Sequence, residues 1–264
     1  MDINDFMGVK DGEKPLDRLV TDGGFCAIFR TIVCIGDSLA SGEFESKDSD
    51  GNNEYHDLYE YSWGQFLGRS CGSTVYNFSR GGMTAKEYIE SFAEEREFWG
   101  KDKLAQAYII ALGVNDLFGK CYDFGDISDL NLDDYRKNGK TFVGYYAQII
   151  QRIKEIQPRS KIFLVSIPQG ILGQDDKKKV HRDLLERFTK MFTNTYLIDL
   201  YAYSPVQDEK FTEIFWHGHM SPTGYVLVAK MIESYIDYII RKNPQDFKQV
   251  GFIGTDLYYN PENL

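Results

Sequence analysis

A chain of 264 residues with 30 basic against 40 acidic side chains carries a formal charge of -10 at neutral pH, which opposes a general attraction to nucleic acid or anionic lipid. The length suffices for a sizeable core, and no run approaches the roughly 20 apolar residues of a membrane span. The opening stretch MDINDFMGVKDGEKPLDRL alternates charges with isolated apolar residues and has no signal-peptide core. Cys26, Cys34, Cys71 and Cys121 show neither CxxC spacing nor the density of a disulfide-stapled secreted domain. A cytoplasmic location is the expectation.

Apolar, β-rich stretches then alternate with helical patterns. The first, AIFRTIVCIG, runs into GDSLASGE, followed by the polar segment ESKDSDGNNEYHDLYEYSW, open as lid, substrate wall or plain loop, whose His56 reads as a contact or a solvated residue. A helix around Tyr59–Gly68 leads to the strand STVYNF, then a helix over Thr84–Phe92 to AQAYIIALG. Helices at Asp133–Gln157 and Lys179–Phe192 bracket KIFLVSI and precede TYLIDL. The last helix is the clearest, from Pro222 to Lys242. Ser221 suits its N-cap, Pro222 its first position, and Tyr225, Val228, Ile232, Tyr235 and Ile239 repeat at helical spacing. Strands alternating with helices predict right-handed βαβ units, hence an α/β/α sandwich on a parallel sheet of about five strands with ligands at the strands' carboxyl ends. The expected layout is one domain over 1–264, with 1–27 as an N-terminal extension and 244–264 as a tail packed on it, since Phe247, Val250, Phe252 and Ile253 are costly to leave in water.

Three strand ends carry the chemistry. Gly36, Asp37 and Ser38 close the first strand, and glycine there lets a serine hydroxyl and its own N–H face one cleft. Gly81-Gly82 follows the second strand, and Gly113, Asn115 and Asp116 follow the third. Each taken singly also reads as an ordinary turn or cap. Together with a late histidine in FWHGHMSPTGY they supply a nucleophile, oxyanion donors and a base at one sheet edge.

On these residues the chain resembles the SGNH hydrolases, the GDSL esterase/lipase family with a flavodoxin-like fold. GDSLASGE, NFSRGG, GVND and HMSPTGY match its ordered blocks from about Ile32 to Ile240. The resemblance implies Ser38 as nucleophile, His219 as base, and an oxyanion hole from the N–H groups of Ser38 and Gly82 and the Asn115 amide. Asp37 belongs to the motif but not to the triad, and its expected role is to anchor the turn. One departure stands out: the family usually has Asp three residues before its histidine, and here that residue is Trp216. The Trp216 backbone carbonyl is the preferred replacement acceptor for His219. Glu213, Asp208 with Glu209, or His217 are the other choices, and His217 otherwise reads as a loop residue or substrate contact. A metal site on His217 and His219 is not expected, because no third ligand stands nearby.

The function expected is hydrolysis of a small-molecule carboxylic ester, a short acyl or acetyl ester, with a carbohydrate among the candidate alcohols, through an acyl-enzyme at Ser38. Metal and organic cofactor are expected to be none, and neither nucleic acid nor membrane is an expected partner. The oligomeric state is open. The alternatives are a non-catalytic ligand-binding protein on the same fold and an acyltransferase using the same residues.

Overall fold

The computed structural model describes residues 3–120, 122–170, 173–253 and 257. Its strands in chain order are β1 (Thr31–Gly36), β2 (Glu43–Lys47), β3 (Asn53–Asp57), β4 (Thr74–Ser79), β5 (Ala107–Ala111), β6 (Lys161–Val165), β7 (Thr195–Ile198), β8 (Trp216–His217) and β9 (His219–Met220). Five of them form the expected parallel sheet, in the order β4-β1-β5-β6-β7.

Along β1 the pleat sends Val33 and Ile35 into one apolar cluster and Ile32 and Cys34 into another, all fully buried. The first cluster is closed by the helices Phe142–Ile156 and Asp175–Met191, the second by Trp63–Cys71 and Pro222–Lys242. A strand covered on both faces needs the near-continuous apolar runs that the sequence shows. No described helix is long and apolar enough to cross a membrane.

Local chemistry moves several boundaries. The first strand begins only at Thr31, because Gly24–Ile28 winds as a 3-10 turn. The helix expected from Tyr59 starts at Trp63, where the Ser62 hydroxyl accepts from Gln65 N–H; Tyr59–Tyr61 is a separate 3-10 turn. The one expected from Asp133 starts at Phe142, capped by Thr141, and the one expected from Lys179 reaches back to Asp175. The final helix keeps its expected bounds, with Ser221 accepting from Gly224 N–H. Phe247 of the tail is buried against Phe29 and Phe163, but Phe252 stays 42% exposed, against expectation. Cys26, Cys34 and Cys71 are buried free thiols, while Cys121 and most of the chain beyond 253 lie outside the described residues.

Register places the site. Gly36, the last residue of β1, stands opposite Ser79 of β4 and Ala111 of β5. The segments that follow these three strands therefore leave the sheet side by side, and they carry Ser38, Gly82 and Asn115.

Candidate active site

Ser38 opens a single helical turn, Ser38–Ser41, whose N-cap is Asp37. Asp37 Oδ1 accepts from Leu39 N–H at 3.0 Å, and its carbonyl accepts from Ala40 and Ser41. That cap fixes the turn, the role expected of Asp37. The side chain is buried, Oδ2 has no partner among the described residues, and burial pushes the carboxyl up to about 7. Behind the turn, a Cβ on Gly36 would fall 2.4 Å from that of Ala40, so glycine is required by close approach.

The Ser38 N–H, at the first position of the turn, has no protein acceptor among the described residues, and neither has the N–H of Gly82. Gly82 adopts φ +73°, a conformation that favours glycine. Asn115 Nδ2 donates one hydrogen to Met83 O at 3.1 Å, which ties it to the Gly82 segment and leaves the second hydrogen for a ligand. Asp116 joins the same two segments: buried, it accepts from Ala85 N–H at 3.0 Å, and burial raises its carboxyl to about 7. From behind, the buried His181 ring places Nε2 3.1 Å from the Leu112 carbonyl, and burial pushes its pKa down to about 4, so the neutral ring donates to that carbonyl.

His219 stands on β9, in a two-residue hairpin with β8 turned by Gly218 at φ +73°. The adjoining helix sends the Tyr225 hydroxyl to within 3.3 Å of Ser38 O and 3.0 Å of Glu43 O, so one hydroxyl fastens the helix after His219 to the turn that carries Ser38. The Nδ1 of His219 faces Glu45 Oε1 at 3.1 Å, and Nε2 faces Glu43 Oε1 at 3.0 Å. Burial alone lowers the pKa of this ring, but the hydrogen bonds and charges of Glu43 and Glu45 outweigh it, and the net shift is upward. No hydrogen bond joins Ser38 Oγ to His219 among the described residues.

The Trp216 carbonyl is thus not what faces Nδ1; Glu45 stands there instead. Trp216 pairs with Met220 in the hairpin, and its indole Nε1 is buried without an acceptor. The other candidates are otherwise engaged. Asp208 caps the helix Glu209–Phe215, Glu209 and Glu213 are exposed, and His217 is exposed with no side-chain hydrogen bond among the described residues.

Both glutamates lie on β2 of the β2-β3 hairpin: Glu43 closes GDSLASGE, and Glu45 opens the polar segment that follows it. Alternation along β2 puts Glu43 and Glu45 on one side and sends Phe44 the other way, onto Tyr61 and Tyr225. Tyr55 of β3 sets its ring edge to face against His219, with centroids 6.2 Å apart. His56 is exposed, with Nε2 2.7 Å from Ser46 Oγ. The segment is therefore a wall of the cleft. Among the described residues no group of three or more His, Cys, Asp or Glu is arranged to hold a metal.

A serine at a strand-to-helix turn, free amide donors after neighbouring strands and a histidine between two carboxylates thus stand together at one edge of an α/β sandwich. Residues 32–232 match the family model described as GDSL-like lipase/acylhydrolase, and the chain belongs to that family. Among solved structures, it is similar to a family two carbohydrate esterase from Clostridium thermocellum in complex with cellohexaose, at 18% identity and TM-score 0.56 over 82% of this chain and 65% of that one. It is similar to a Corynascus family 2 carbohydrate esterase with a carbohydrate-binding domain, at 14% identity and TM-score 0.55 over 80% and 66%. A protein from Lactobacillus plantarum aligns at 16% identity and TM-score 0.59 over 80% and 97%. The chain thus spans about two thirds of each of those two esterases, and at these identities the likeness establishes the fold. A search of curated proteins gives no match.

Proposed function

We propose that this protein hydrolyses a carboxylic ester through an acyl-enzyme at Ser38, with His219 as base and Glu45 as the carboxylate that orients it. One observation carries the reading: Ser38, two unpaired N–H donors and the Asn115 amide share one sheet edge with a histidine whose Nδ1 meets a carboxylate. Family membership and the fold shared with carbohydrate esterases support an esterase, and a short acyl group on a polar alcohol, a carbohydrate hydroxyl included, fits the acidic hairpin wall.

The steps follow from these groups. His219 Nε2 takes the proton of Ser38 Oγ as the oxygen bonds to the acyl carbon. The N–H groups of Ser38 and Gly82 and the Asn115 amide hold the oxyanion, each such donor being worth on the order of 3 kcal/mol. Collapse breaks the bond to the alcohol oxygen, which leaves with the proton from His219. Water then repeats the sequence on the acyl-enzyme and frees the acid. Glu45 fixes the tautomer with its proton on Nδ1 and stabilises the imidazolium.

The chemistry requires Nε2 to turn from Glu43 to Ser38 when substrate enters, the tightening that catalytic contacts undergo on complex formation. The same Glu43 contact speaks for the second reading, a binding protein in which His219 is only a charged strut. Fluorophosphonate labelling and p-nitrophenyl acetate turnover of the wild type, Ser38→Ala and His219→Ala separate the two. The esterase reading expects labelling and turnover in the wild type and loss of both in Ser38→Ala; no wild-type labelling, or labelling that survives Ser38→Ala, overturns it.

A further inference from the structure

Of the four histidines only His181 is fully buried, and none of the steps above uses it. It stands on the helix Asp175–Met191, which the next residue, Arg182, ties to the segment after β7 through Nε and the buried Asp199 Oδ2, 2.7 Å apart. Its ring packs on Phe142, with centroids 5.8 Å apart, and on Tyr146, 6.4 Å apart. The Nε2–H meets the carbonyl of Leu112, the residue after β5, and no backbone N–H donates to that oxygen among the described residues. A Cβ on Gly113 would lie 2.7 Å from Nε2 and 3.0 Å from Cδ2, so the ring lies directly against the bare backbone that leads to Asn115. The Gly113 carbonyl accepts in turn from Leu117 N–H at 3.0 Å. The other ring nitrogen, Nδ1, is buried with no partner among the described residues. An apolar side chain of similar volume would avoid that cost but would leave the Leu112 carbonyl unsatisfied.

We propose that His181 is a positioning residue of the oxyanion hole: its Nε2–H fixes the Leu112 carbonyl and, through Gly113 and Val114, holds the Asn115 amide where the oxyanion forms. The proposal rests on the reading of Ser38 as nucleophile and extends it to a helix outside the cleft. His181 touches neither the substrate nor a reacting atom. An oxyanion donor acts at full strength only when held within about 0.5 Å of its productive place. Met83 O restrains the Asn115 side chain from one end, and His181 restrains its backbone approach from the other. Burial keeps the ring neutral, so Nε2 remains the donor to Leu112.

His181→Leu removes the N–H at similar volume, and His181→Gln restores an N–H the same number of bonds from Cα. The test is kcat and KM for p-nitrophenyl acetate in the wild type, both variants, Asn115→Ala and the double variant His181→Leu with Asn115→Ala, with fluorophosphonate labelling and thermal melting of each preparation. Support is a kcat about tenfold lower in His181→Leu with KM within about twofold, recovery to within about threefold of wild type in His181→Gln, and a loss below about twofold when His181→Leu is added to Asn115→Ala. A role in packing alone gives the same fold-loss in both backgrounds; that result, or an unchanged kcat in His181→Leu, overturns the proposal. Should His181→Leu fail to fold, the same cycle is run with His181→Asn, whose amide is one bond short of Leu112, and is read by the same criteria. A labelled, active wild type with equal losses in both backgrounds removes His181 alone and keeps Ser38 as nucleophile. A wild type that neither labels nor turns over ester removes the nucleophile, and the role of His181 falls with it.

Discussion

Glu45 Oε1 sits 3.1 Å from His219 Nδ1 across 174 residues of chain, on a hairpin that the Ser38 turn leads into. In the proposed mechanism Glu45 takes the place of the carboxylate that the family usually carries three residues before its histidine, where this chain has Trp216. Glu45→Ala removes it and leaves the tautomer of His219 unfixed. In a serine-protease template the loss of the acid costs about 10⁴ in kcat; Glu45 is only half-buried and more screened, so a fall of about 10² to 10³ is expected. Steady-state kcat on an activated ester checks this, and a change of less than about threefold would remove Glu45 from the catalytic group.

Glu43 acts on the same ring with the opposite kinetic sign. Its contact with Nε2 favours the protonated imidazolium, and with Glu45 it raises His219 above the ordinary 6.5. A protonated base is inactive, so kcat/KM should climb with pH along a limb above that value. Glu43→Gln weakens the pull and moves the limb to lower pH. Asp37, held at about 7 by burial, titrates nearby, so the displacement between variant and wild type is the quantity to read. Stability runs the other way. A folded pKa raised above the unfolded one stabilises fully below pH 6.5 and is lost as pH climbs through the folded value, so the wild type's Tm advantage over Glu43→Gln should shrink on the alkaline side. A limb that stays in place in Glu43→Gln contradicts the assignment.

Two glycines allow the glutamates to be moved without touching them. A Cβ on Gly218 would lie 2.1 Å from Glu45 Cδ, and one on Gly81 would lie 2.0 Å from Glu43 Oε2. Each clash is met at the end of a flexible side chain, which swings aside. Gly218→Ala should therefore reproduce the kcat loss of Glu45→Ala, with added strain from its φ of +73°. Gly81, whose φ is not positive, should as alanine reproduce the acid-limb shift of Glu43→Gln. The discriminating result is the pairing: a limb shift without kcat loss in Gly218→Ala would reverse the roles given to the two carboxylates.

The sheet was legible because buried parallel strands must be apolar on both faces, and AYIIA or KIFLV can hardly be anything else between turn residues. Ser38, Gly82 and Asn115 were legible because each ends such a strand, and register did the rest. The partner of His219 was not, because contact between residues 45 and 219 depends on how a hairpin tilts over the sheet edge. A signal existed. In EFESK the two glutamates alternate with Phe44 and Ser46, and Gly51 lies in a polar turn before NEYHD, the pattern of a hairpin with one acidic and one apolar side. Looking for the acid within a few residues of His219 missed it. Two helix starts moved for local reasons, where the Ser62 and Thr141 hydroxyls stood ready as N-caps further along than periodicity alone implied.

Trp216→Asp restores the family's residue where it is missing, and its expected outcome follows from Glu45 already holding Nδ1. A second carboxylate beside the first gains nothing for the tautomer, brings like charges together and removes ring area from an apolar cavity. Turnover of p-nitrophenyl acetate should not rise beyond about twofold. In a Glu45→Ala background the vacancy at Nδ1 is real, and the same substitution should recover about tenfold or more of the lost kcat, the non-additivity that marks two groups serving one hydrogen bond. The four-member cycle is read in kcat with fluorophosphonate labelling of Ser38 as a control on folding. A large gain from Trp216→Asp in the wild-type background would mean that Glu45 does not support the histidine; a gain only when Glu45 is absent assigns the lost triad carboxylate to the hairpin.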